Sequence, residues 1–168
     1  MHPSRFAWIA IGTNQGNALR LYRQAVQRLT CHPMGIRLVA QSSLYRTEPV
    51  GGVRQPWFIN GVVVVATPWG PKTLLKILHK IEAGFGRNRS REKRWGPRRL
   101  DLDLLFHGSR ILSRQSLKIP HPSLHLRRFV LTPLAEVSPG LIHPVCGKTV
   151  DILLRDVDDT ARVEPLLL

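Results

Sequence analysis

Apolar runs separated by turn-forming residues predict an alternation of strands and helices along the chain. Continuous apolar runs typical of buried strands cover residues 6–11 and Phe58–Thr67, and a more polar extended pattern covers 36–47. In residues 18–31 and 73–85 the apolar positions recur every three or four residues, which is typical of a helix with one buried face. These segments predict the order strand, helix, strand, strand, helix.

A further apolar run, 100–106, predicts one more strand and completes the order β-α-β-β-α-β. That order is typical of a ferredoxin-like α+β sandwich. A turn at 107–110 predicts an added β-hairpin that leads into a short strand at 111–112. C-terminal helical segments are expected around 127–129 and over 150–154.

The strand predicted at 100–106 carries two carboxylates, Asp101 and Asp103. Successive side chains of a strand point to opposite faces, so the two acids share one face, with their Cα atoms about 6.5–7 Å apart. Two neighbouring acids repel each other and favour a compensating cation. Mg²⁺ commonly uses one or two carboxylates together with substrate phosphates, so the pair is a candidate metal site. The alternative is a solvated strand face.

An arginine-rich stretch, residues 86–99, lies directly before the acid pair. It carries one acid, Glu92, and these basic residues: Arg87, Arg89, Arg91, Lys93, Arg94, Arg98 and Arg99. Guanidinium groups match the geometry of phosphate oxygens. Beside a metal-holding acid pair, the stretch predicts a site for a metal–polyphosphate, most simply MgATP. Plain surface and a nucleic-acid patch are the alternatives.

The composition adds a strong positive charge. Lys and Arg number 25 against 11 Asp and Glu, a net charge of +14 that implies an anionic partner. At 168 residues the chain is expected to form one domain, 1–168. The two cysteines have no C-x-x-C partner, which argues against a zinc site or disulfide framework and fits a reducing cytoplasm. The apolar run after Arg5 is too short for a signal sequence or membrane span.

A nucleic-acid-binding module is a second hypothesis, because RNA-recognition domains share the β-α-β-β-α-β order. Such domains stack bases on exposed aromatic residues of two central strands. The best candidates here, Trp8 and Phe58, lie in no aromatic-rich string of the required kind. The charge therefore supports this hypothesis, while the missing stacking platform argues against it.

Two residues have both a structural and a functional interpretation. Glu82 lies near the end of the predicted helix 73–85, where a negative charge opposes the helix dipole. It is expected either to pair with an arginine of the following stretch or to contact a nucleotide ribose. His121 lies between Pro120 and Pro122, which fix the backbone and leave the imidazole free to face a ligand. An ordinary turn histidine is the alternative.

Four motifs carry a resemblance to a known family. They are Arg94-Trp95-Gly96-Pro97-Arg98-x-x-Asp101-x-Asp103, Ser43-x-Tyr45-x-Thr47-Glu48-Pro49, Gly86-Arg87-x-Arg89 and Pro120-His121-Pro122-x-x-x-x-Arg127-x-Phe129. Together they resemble the 6-hydroxymethyl-7,8-dihydropterin pyrophosphokinases of folate biosynthesis, and the likeness runs from Ala10 to about Pro139. It implies an enzyme that moves a pyrophosphoryl group from ATP to a pterin alcohol.

For the nucleotide, the resemblance implies that Asp101 and Asp103 hold two Mg²⁺ that bridge the ATP phosphates and the attacking hydroxyl. The implied catalytic residues are all arginines: Arg87, Arg89 and Arg98. The implied ATP-binding residues are Glu82 at the ribose, Arg89, Arg98, His121 and Arg127 at the phosphates, and Trp95 over the pocket. Phosphoryl-type transfer needs mainly positioning and charge neutralisation, which such residues supply.

For the pterin, the resemblance implies a pocket in which Phe58 and Phe129 sandwich the ring. The remaining implied contacts are the Asn60 side chain at the ring edge, backbone groups of Thr47 and Val50, and Trp95 as a cap. A flat, neutral ring is well held by two aromatic faces with polar groups at its edge. We expect ATP and the hydroxymethyl-dihydropterin as small-molecule substrates of a cytoplasmic monomer, with no membrane and no specific nucleic-acid partner.

Strand alternation and the resemblance disagree about which arginine accompanies the acid pair. Strict alternation from Asp101 places Arg99 on the acid face, whereas the motif selects Arg98. Pro97 fixes its own dihedral angle and restricts Gly96, so regular strand geometry is expected to begin only near Leu100. The alternation of strand faces therefore does not extend back to residues 98 and 99, and Arg98 is the predicted partner of the acid pair.

Overall fold

The computed structural model describes residues 5–30, 35–51, 54–87 and 96–167. Strands and helices alternate through the first two thirds of the chain, and shorter elements follow. In chain order the elements are β1 (Arg5–Thr13), α1 (Ala18–Thr30), β2 (Arg37–Gln41), β3 (Tyr45–Thr47), β4 (Phe58–Thr67), α2 (Pro71–Gly84), β5 (Asp101–His107), β6 (Leu112–Arg114), β7 (Leu117–Ile119), a 3-10 turn (Leu124–Leu126), α3 (Arg128–Val137), α4 (Val150–Asp156) and β8 (Val163–Pro165).

The main sheet has the spatial order β5-β1-β4-β3-β8, and β2 also pairs with β4. Every neighbouring pair is antiparallel. β1 lies between β4 and β5, so the connection through α2 crosses over it, as in a split β-α-β unit. The α+β class is confirmed, and so is the β-α-β-β-α-β order, except that the strand predicted over 36–47 is divided into β2 and β3, which both pair with β4.

Alternation along β1 divides the interior into two cores, one on each face of the sheet. Ala7, Ile9 and Ile11 point to one face, where they pack with buried residues of α1 and α2. Trp8 and Ala10 point to the other face, which α3 and α4 cover. The sheet is thus the middle layer of a three-layer sandwich. None of the described helices is long and apolar enough to cross a membrane.

Three details of the C-terminal third differ from the predictions. The strand after the 107–110 turn does not pair with β5, because β6 and β7 form a separate two-stranded sheet with Ser113 opposite Lys118. α3 continues through Pro133, since its Val130, Leu131 and Leu134 are buried against the sheet. The segment after α4, for which no element was predicted, contributes β8, which pairs with β3 at the sheet edge.

Candidate active site

The acid pair lies at the start of β5, on the face of the sheet that α3 covers. Asp101 is paired with Gly12 and Asp103 with Ala10, while Leu102 between them is paired with Ile11. Leu102 is buried in the core against α1 and α2, so both acids point to the opposite face. The predicted shared face is therefore observed.

Two arginines hold the carboxylate of Asp101. Arg87 Nη1 donates to Asp101 Oδ1 at 2.5 Å, and Arg98 Nη1 donates to Oδ2. Burial alone would raise the pKa of Asp101, but the two guanidinium charges outweigh it and lower the pKa below its usual range. Asp101 is consequently an anion. Arg99 is exposed, so the acid pair is accompanied by Arg98, as the motif predicted.

Asp103 has the opposite environment. Within the described residues, its carboxylate forms no hydrogen bond and no ion pair. The pKa of Asp103 is raised to about 7, mainly by burial and then by the nearby negative charge of Asp101, which has a larger effect than the opposing charge of Arg127. A desolvated carboxylate beside a second one is an oxygen donor set that a hard divalent cation would stabilise.

Glu82 is enclosed at the end of α2, with a relative exposure of 1%. Its Oε1 accepts a hydrogen bond from the backbone N–H of Leu102 at 2.8 Å and one from Arg87. Arg87 therefore bridges Glu82 and Asp101. Of the two roles predicted for Glu82, the structure shows the ion pair with an arginine of the basic stretch, and the ribose contact stays a prediction.

A cavity of about 250 Å³ opens beside the acid pair. Many of the residues predicted for ATP or the pterin line it: Thr47, Val50, Phe58, Asn60, Arg98, Asp101, Asp103, Arg127 and Phe129. Glu48 and Gln55 also line it and were not predicted. Three other predicted residues, Glu82, Arg87 and His121, do not line it. Arg89 and Trp95 lie outside the described residues.

The wall predicted for the pterin depends on a close approach between β1 and β4. Asn60 on β4 is paired with Gly12 on β1. A Cβ atom at Gly12 would lie 2.5 Å from Asn60 Oδ1, so only glycine leaves room for this side chain. Asn60 Nδ2 donates to Thr47 Oγ1 at 2.6 Å, which orients the carboxamide at the cavity wall.

His121 and Arg127 lie on the segment that leads into α3. His121 Nδ1 accepts a hydrogen bond from the backbone N–H of Ser123 at 3.3 Å. Burial and the nearby Arg127 charge lower the pKa of His121 to about 4, so its ring is neutral near pH 7. Arg127 lines the cavity, with its guanidinium carbon 5.8 Å from the centroid of the Phe129 ring.

Asn14 joins two loops at the edge of the cavity, a role that was not predicted. Its Oδ1 accepts the backbone N–H of Arg98 at 2.8 Å. Its Nδ2 donates to Gln55 Oε1 and to the Pro56 carbonyl, both at 3.0 Å. A polar residue directly after a buried strand is the only sign of this role in the sequence, because all three partners are distant along the chain.

The donor set fits a magnesium ion that is shared with a substrate. No cluster of three or more His, Cys, Asp or Glu side chains suited to a metal occurs among the described residues. Asp101 and Asp103 supply two carboxylates, and Mg²⁺ typically completes its shell with water and substrate phosphates rather than with protein ligands. The arginines beside the acid pair offer the charge that such phosphates need.

Comparisons with known proteins agree with this geometry. The family model described as 7,8-dihydro-6-hydroxymethylpterin-pyrophosphokinase (HPPK) matches residues 8–139. A 2-amino-4-hydroxy-6-hydroxymethyldihydropteridine pyrophosphokinase of Methylorubrum extorquens is 41% identical over 160 residues, which are 94% of this chain and 98% of the relative. The Synechocystis protein of the same name is 43% identical over 155 residues, 92% of this chain and 77% of the relative.

Solved structures show the same fold. The wild-type Plasmodium falciparum HPPK-DHPS crystal structure with pterin and p-hydroxybenzoate has a TM-score of 0.71 and 17% sequence identity. The match covers 92% of this chain and 43% of that longer chain, so it concerns one part of the Plasmodium protein. From the match to residues 8–139 and the identity to full-length relatives, the chain belongs to the 7,8-dihydro-6-hydroxymethylpterin-pyrophosphokinase family.

Proposed function

We propose that the protein transfers pyrophosphate from MgATP to 6-hydroxymethyl-7,8-dihydropterin, giving AMP and the pterin pyrophosphate in folate biosynthesis. The observation that carries this proposal is the shared cavity. The acid pair and Arg98 line the same space as two aromatic rings, Phe58 and Phe129. One cavity therefore offers both a phosphate-binding side and a side suited to a flat heterocycle.

On the nucleotide side, Asp101 and Asp103 are proposed to hold two Mg²⁺. Bound there, the ions would neutralise phosphate charge and lower the pKa of the attacking hydroxyl. Asp101 is already anionic, whereas Asp103 gives up its proton when it binds a cation. Arg87 and Arg98, which contact Asp101 in this structure, are proposed to exchange that contact for phosphate oxygens.

Further nucleotide contacts are proposed for residues around the acid pair. Arg127 reaches the phosphates from the cavity wall, and His121 contacts them as a neutral hydrogen-bond donor. Glu82 contacts the ribose after Arg87 moves. Arg89 is proposed as the second arginine of the basic stretch that stabilises the charge developing on the transferred group.

On the pterin side, Phe58 and Phe129 are proposed to stack on the two faces of the ring. Asn60 bonds the ring edge, and its hydrogen bond to Thr47 sets the direction of the free carboxamide oxygen. Backbone groups of Thr47 and Val50 complete the edge contacts. Trp95 is proposed to cover the pocket between the two substrates, where it would exclude water from the reaction.

In the proposed reaction, the pterin hydroxyl oxygen attacks the β-phosphorus of ATP, and the hydroxyl proton is released to water. The bond between the β-phosphorus and the oxygen that bridges it to the α-phosphorus breaks, and AMP leaves with that oxygen. The protein forms no covalent bond with either substrate. Its side chains align the two substrates and stabilise negative charge, which is most of what such transfers require.

Product analysis tests this proposal. The protein, ATP, Mg²⁺ and the hydroxymethyl-dihydropterin are incubated, and the adenine nucleotides are separated by chromatography. We expect AMP in a one-to-one ratio with the pterin pyrophosphate, and no turnover after chelation of Mg²⁺. ADP as the product, or unchanged turnover in the presence of a chelator, would contradict the proposal.

We also propose that residues 1–168 form a single domain that works as a monomer in the cytoplasm. The two hydrophobic cores lie on opposite faces of one sheet, which supports a single folding unit. Light scattering of the purified protein measures the molar mass in solution. A mass near 19.0 kDa is expected, and a stable dimer would contradict the monomer.

A further inference from the structure

The positive charge of the protein is concentrated in one part of the chain. Residues 1–100 contain 17 Lys and Arg against three Asp and Glu, whereas residues 101–168 contain eight of each. The whole excess of +14 thus belongs to the first hundred residues. A single ATP needs only a few of these cations, so the substrate does not account for the remainder.

Part of that excess forms one exposed surface on the outer side of α1 and α2. Lys72, Lys76 and Lys80 on α2 are exposed and follow one another at a spacing of four residues, about 6 Å along the helix axis. On α1, Arg20 and Arg23 are also exposed. We call these five residues the basic face.

The two helices that carry the basic face lie side by side. The Arg28 guanidinium, near the end of α1, is 5.1 Å from the ring centroid of Phe85, which follows α2. α1 contains no acid, and the only acid of α2, Glu82, is buried. Both helices pack on the same face of the sheet, so their exposed cations lie on one side of the molecule, and neither helix adds an exposed negative charge there.

The cations of the basic face have no acidic partners, in contrast with those near the C-terminal end. None of the five forms an ion pair with a described residue. Lys148 and Arg155 both pair with Asp156, and Arg162 pairs with Glu48. Unpaired like charges on neighbouring helices repel one another, which is a stability cost that a polyanion would remove.

The chemistry of the face favours the phosphate backbone of a nucleic acid over a membrane. Stable attachment of a protein to a lipid surface generally needs apolar insertion in addition to basic residues. The large apolar residues that are exposed in the described part of the chain all lie outside α1 and α2. The face also lacks the exposed aromatic side chains that stack on unpaired bases.

We propose that the basic face binds the phosphate backbone of double-stranded nucleic acid without sequence preference. The acid pair and the cavity lie on the opposite side of the sheet, so the protein can bind a duplex and its substrates at the same time. DNA and RNA duplexes present the same chemistry, and both belong in the test.

The test compares two triple variants of equal net charge. One, K72Q/K76Q/K80Q, removes the lysines of the basic face, and the other, K148Q/R155Q/R162Q, removes three ion-paired cations of the C-terminal third. Fluorescence anisotropy measures the binding of short DNA and RNA duplexes of one sequence between about 50 and 200 mM salt. AMP formation by the full-length variants shows that each is folded.

We expect K72Q/K76Q/K80Q to bind the duplexes at least about tenfold more weakly than the wild type. The magnitude of the slope of log K against log salt should fall by about 2.7, because three phosphate contacts are lost and each contributes about 0.9. The control triple should bind as the wild type does, and both should keep wild-type turnover. Equal losses in the two triples would show general charge attraction and overturn the proposal. Binding of phosphatidylserine vesicles without binding of either duplex would overturn it in favour of a membrane.

Discussion

Two neighbouring carboxylates on β5 have opposite protonation behaviour because their partners differ. Asp101 is held by Arg87 and Arg98, which lower its pKa, whereas Asp103 is buried beside a negative charge, which raises its pKa to about 7. The spacing of the pair along the strand was predictable from alternation. The difference between the two acids was not, because it depends on Arg87 and Arg98, which reach Asp101 from the segment after α2 and from the segment after Gly96.

Replacing Asp101 by Asn is expected to abolish Mg²⁺-dependent turnover and leave the fold intact. The variant loses one anionic ligand, so MgATP should bind more weakly while metal-free ATP is less affected. Arg87 keeps its ion pair with Glu82, which limits the destabilisation. Steady-state kinetics across Mg²⁺ concentrations and a circular dichroism spectrum are the measurements.

Asp158→Asn is the matched control, because Asp158 is an exposed acid outside the cavity. It removes the same charge from the protein and should turn over like the wild type. An Asp101→Asn enzyme with an unchanged rate at low Mg²⁺ would refute the metal role of Asp101.

The neighbouring arginines 98 and 99 are expected to differ sharply in their effect on the rate. Arg98 contacts Asp101 and lines the cavity, so Arg98→Ala should raise the barrier by about 2.7–4 kcal/mol, the usual cost of removing a group that stabilises developing charge. Arg99 is exposed, and Arg99→Ala should stay near the wild-type rate. The measurement is kcat/KM of both variants. A larger decrease in kcat/KM for Arg99→Ala than for Arg98→Ala would contradict the predicted role of Arg98.

At the scale of elements, the long strands and helices were predictable because each is mostly determined by its own apolar pattern. β4 begins and ends where the predicted apolar run does, at Phe58 and Thr67. β8 has three residues and depends on pairing with β3, more than a hundred residues earlier, so no local pattern indicates it. Arg128 ties the segment before β8 to α3 through the backbone carbonyls of Asp159 and Val157, a contact that only the tertiary structure creates.

The contacts of Asn14 show how the loop after β1 sets the position of Arg98. Asn14→Ala would leave the backbone N–H of Arg98 and the Pro56 carbonyl without their partner, at a cost of about 1–3 kcal/mol in stability. We expect kcat to fall by about tenfold because Arg98 is no longer held beside Asp101. Kinetics of Asn14→Ala alone and in combination with Arg98→Ala separate the possible causes.

A double-mutant cycle is the critical comparison for Asn14. If Asn14 acts through Arg98, its replacement should have little further effect on kcat once Arg98 is alanine. Asn14→Asp keeps an acceptor for the Arg98 N–H and should recover part of the rate. Fully additive losses in the double variant would show that Asn14 acts independently of Arg98.

At the scale of the whole molecule, the two faces of the sheet have different tasks. The α1 and α2 side contains the larger apolar core and carries the basic face, while the α3 side carries the cavity. The net charge was predictable from composition, but its separation from the cavity was not. That separation depends on which helices the crossover connections place on each face.

The buried acid pair also links the stability of the whole protein to pH. The pKa of Asp103 is about 7 in the folded protein against an ordinary value of 3.8, so the folded state binds more protons than the unfolded state between these values. The free energy of unfolding of the metal-free protein should therefore decrease as the pH rises from about 4 to about 7 through this group.

Asp103→Asn removes the titration, so the wild type should lose stability relative to this variant over the same range. Urea unfolding of both proteins at a series of pH values measures the difference, and Mg²⁺ affinity should rise with pH over the same interval because binding displaces the proton. A wild type that gains stability relative to Asp103→Asn as the pH rises would show that Asp103 is stabilised as an anion, and that the site needs no cation to hold its two carboxylates together.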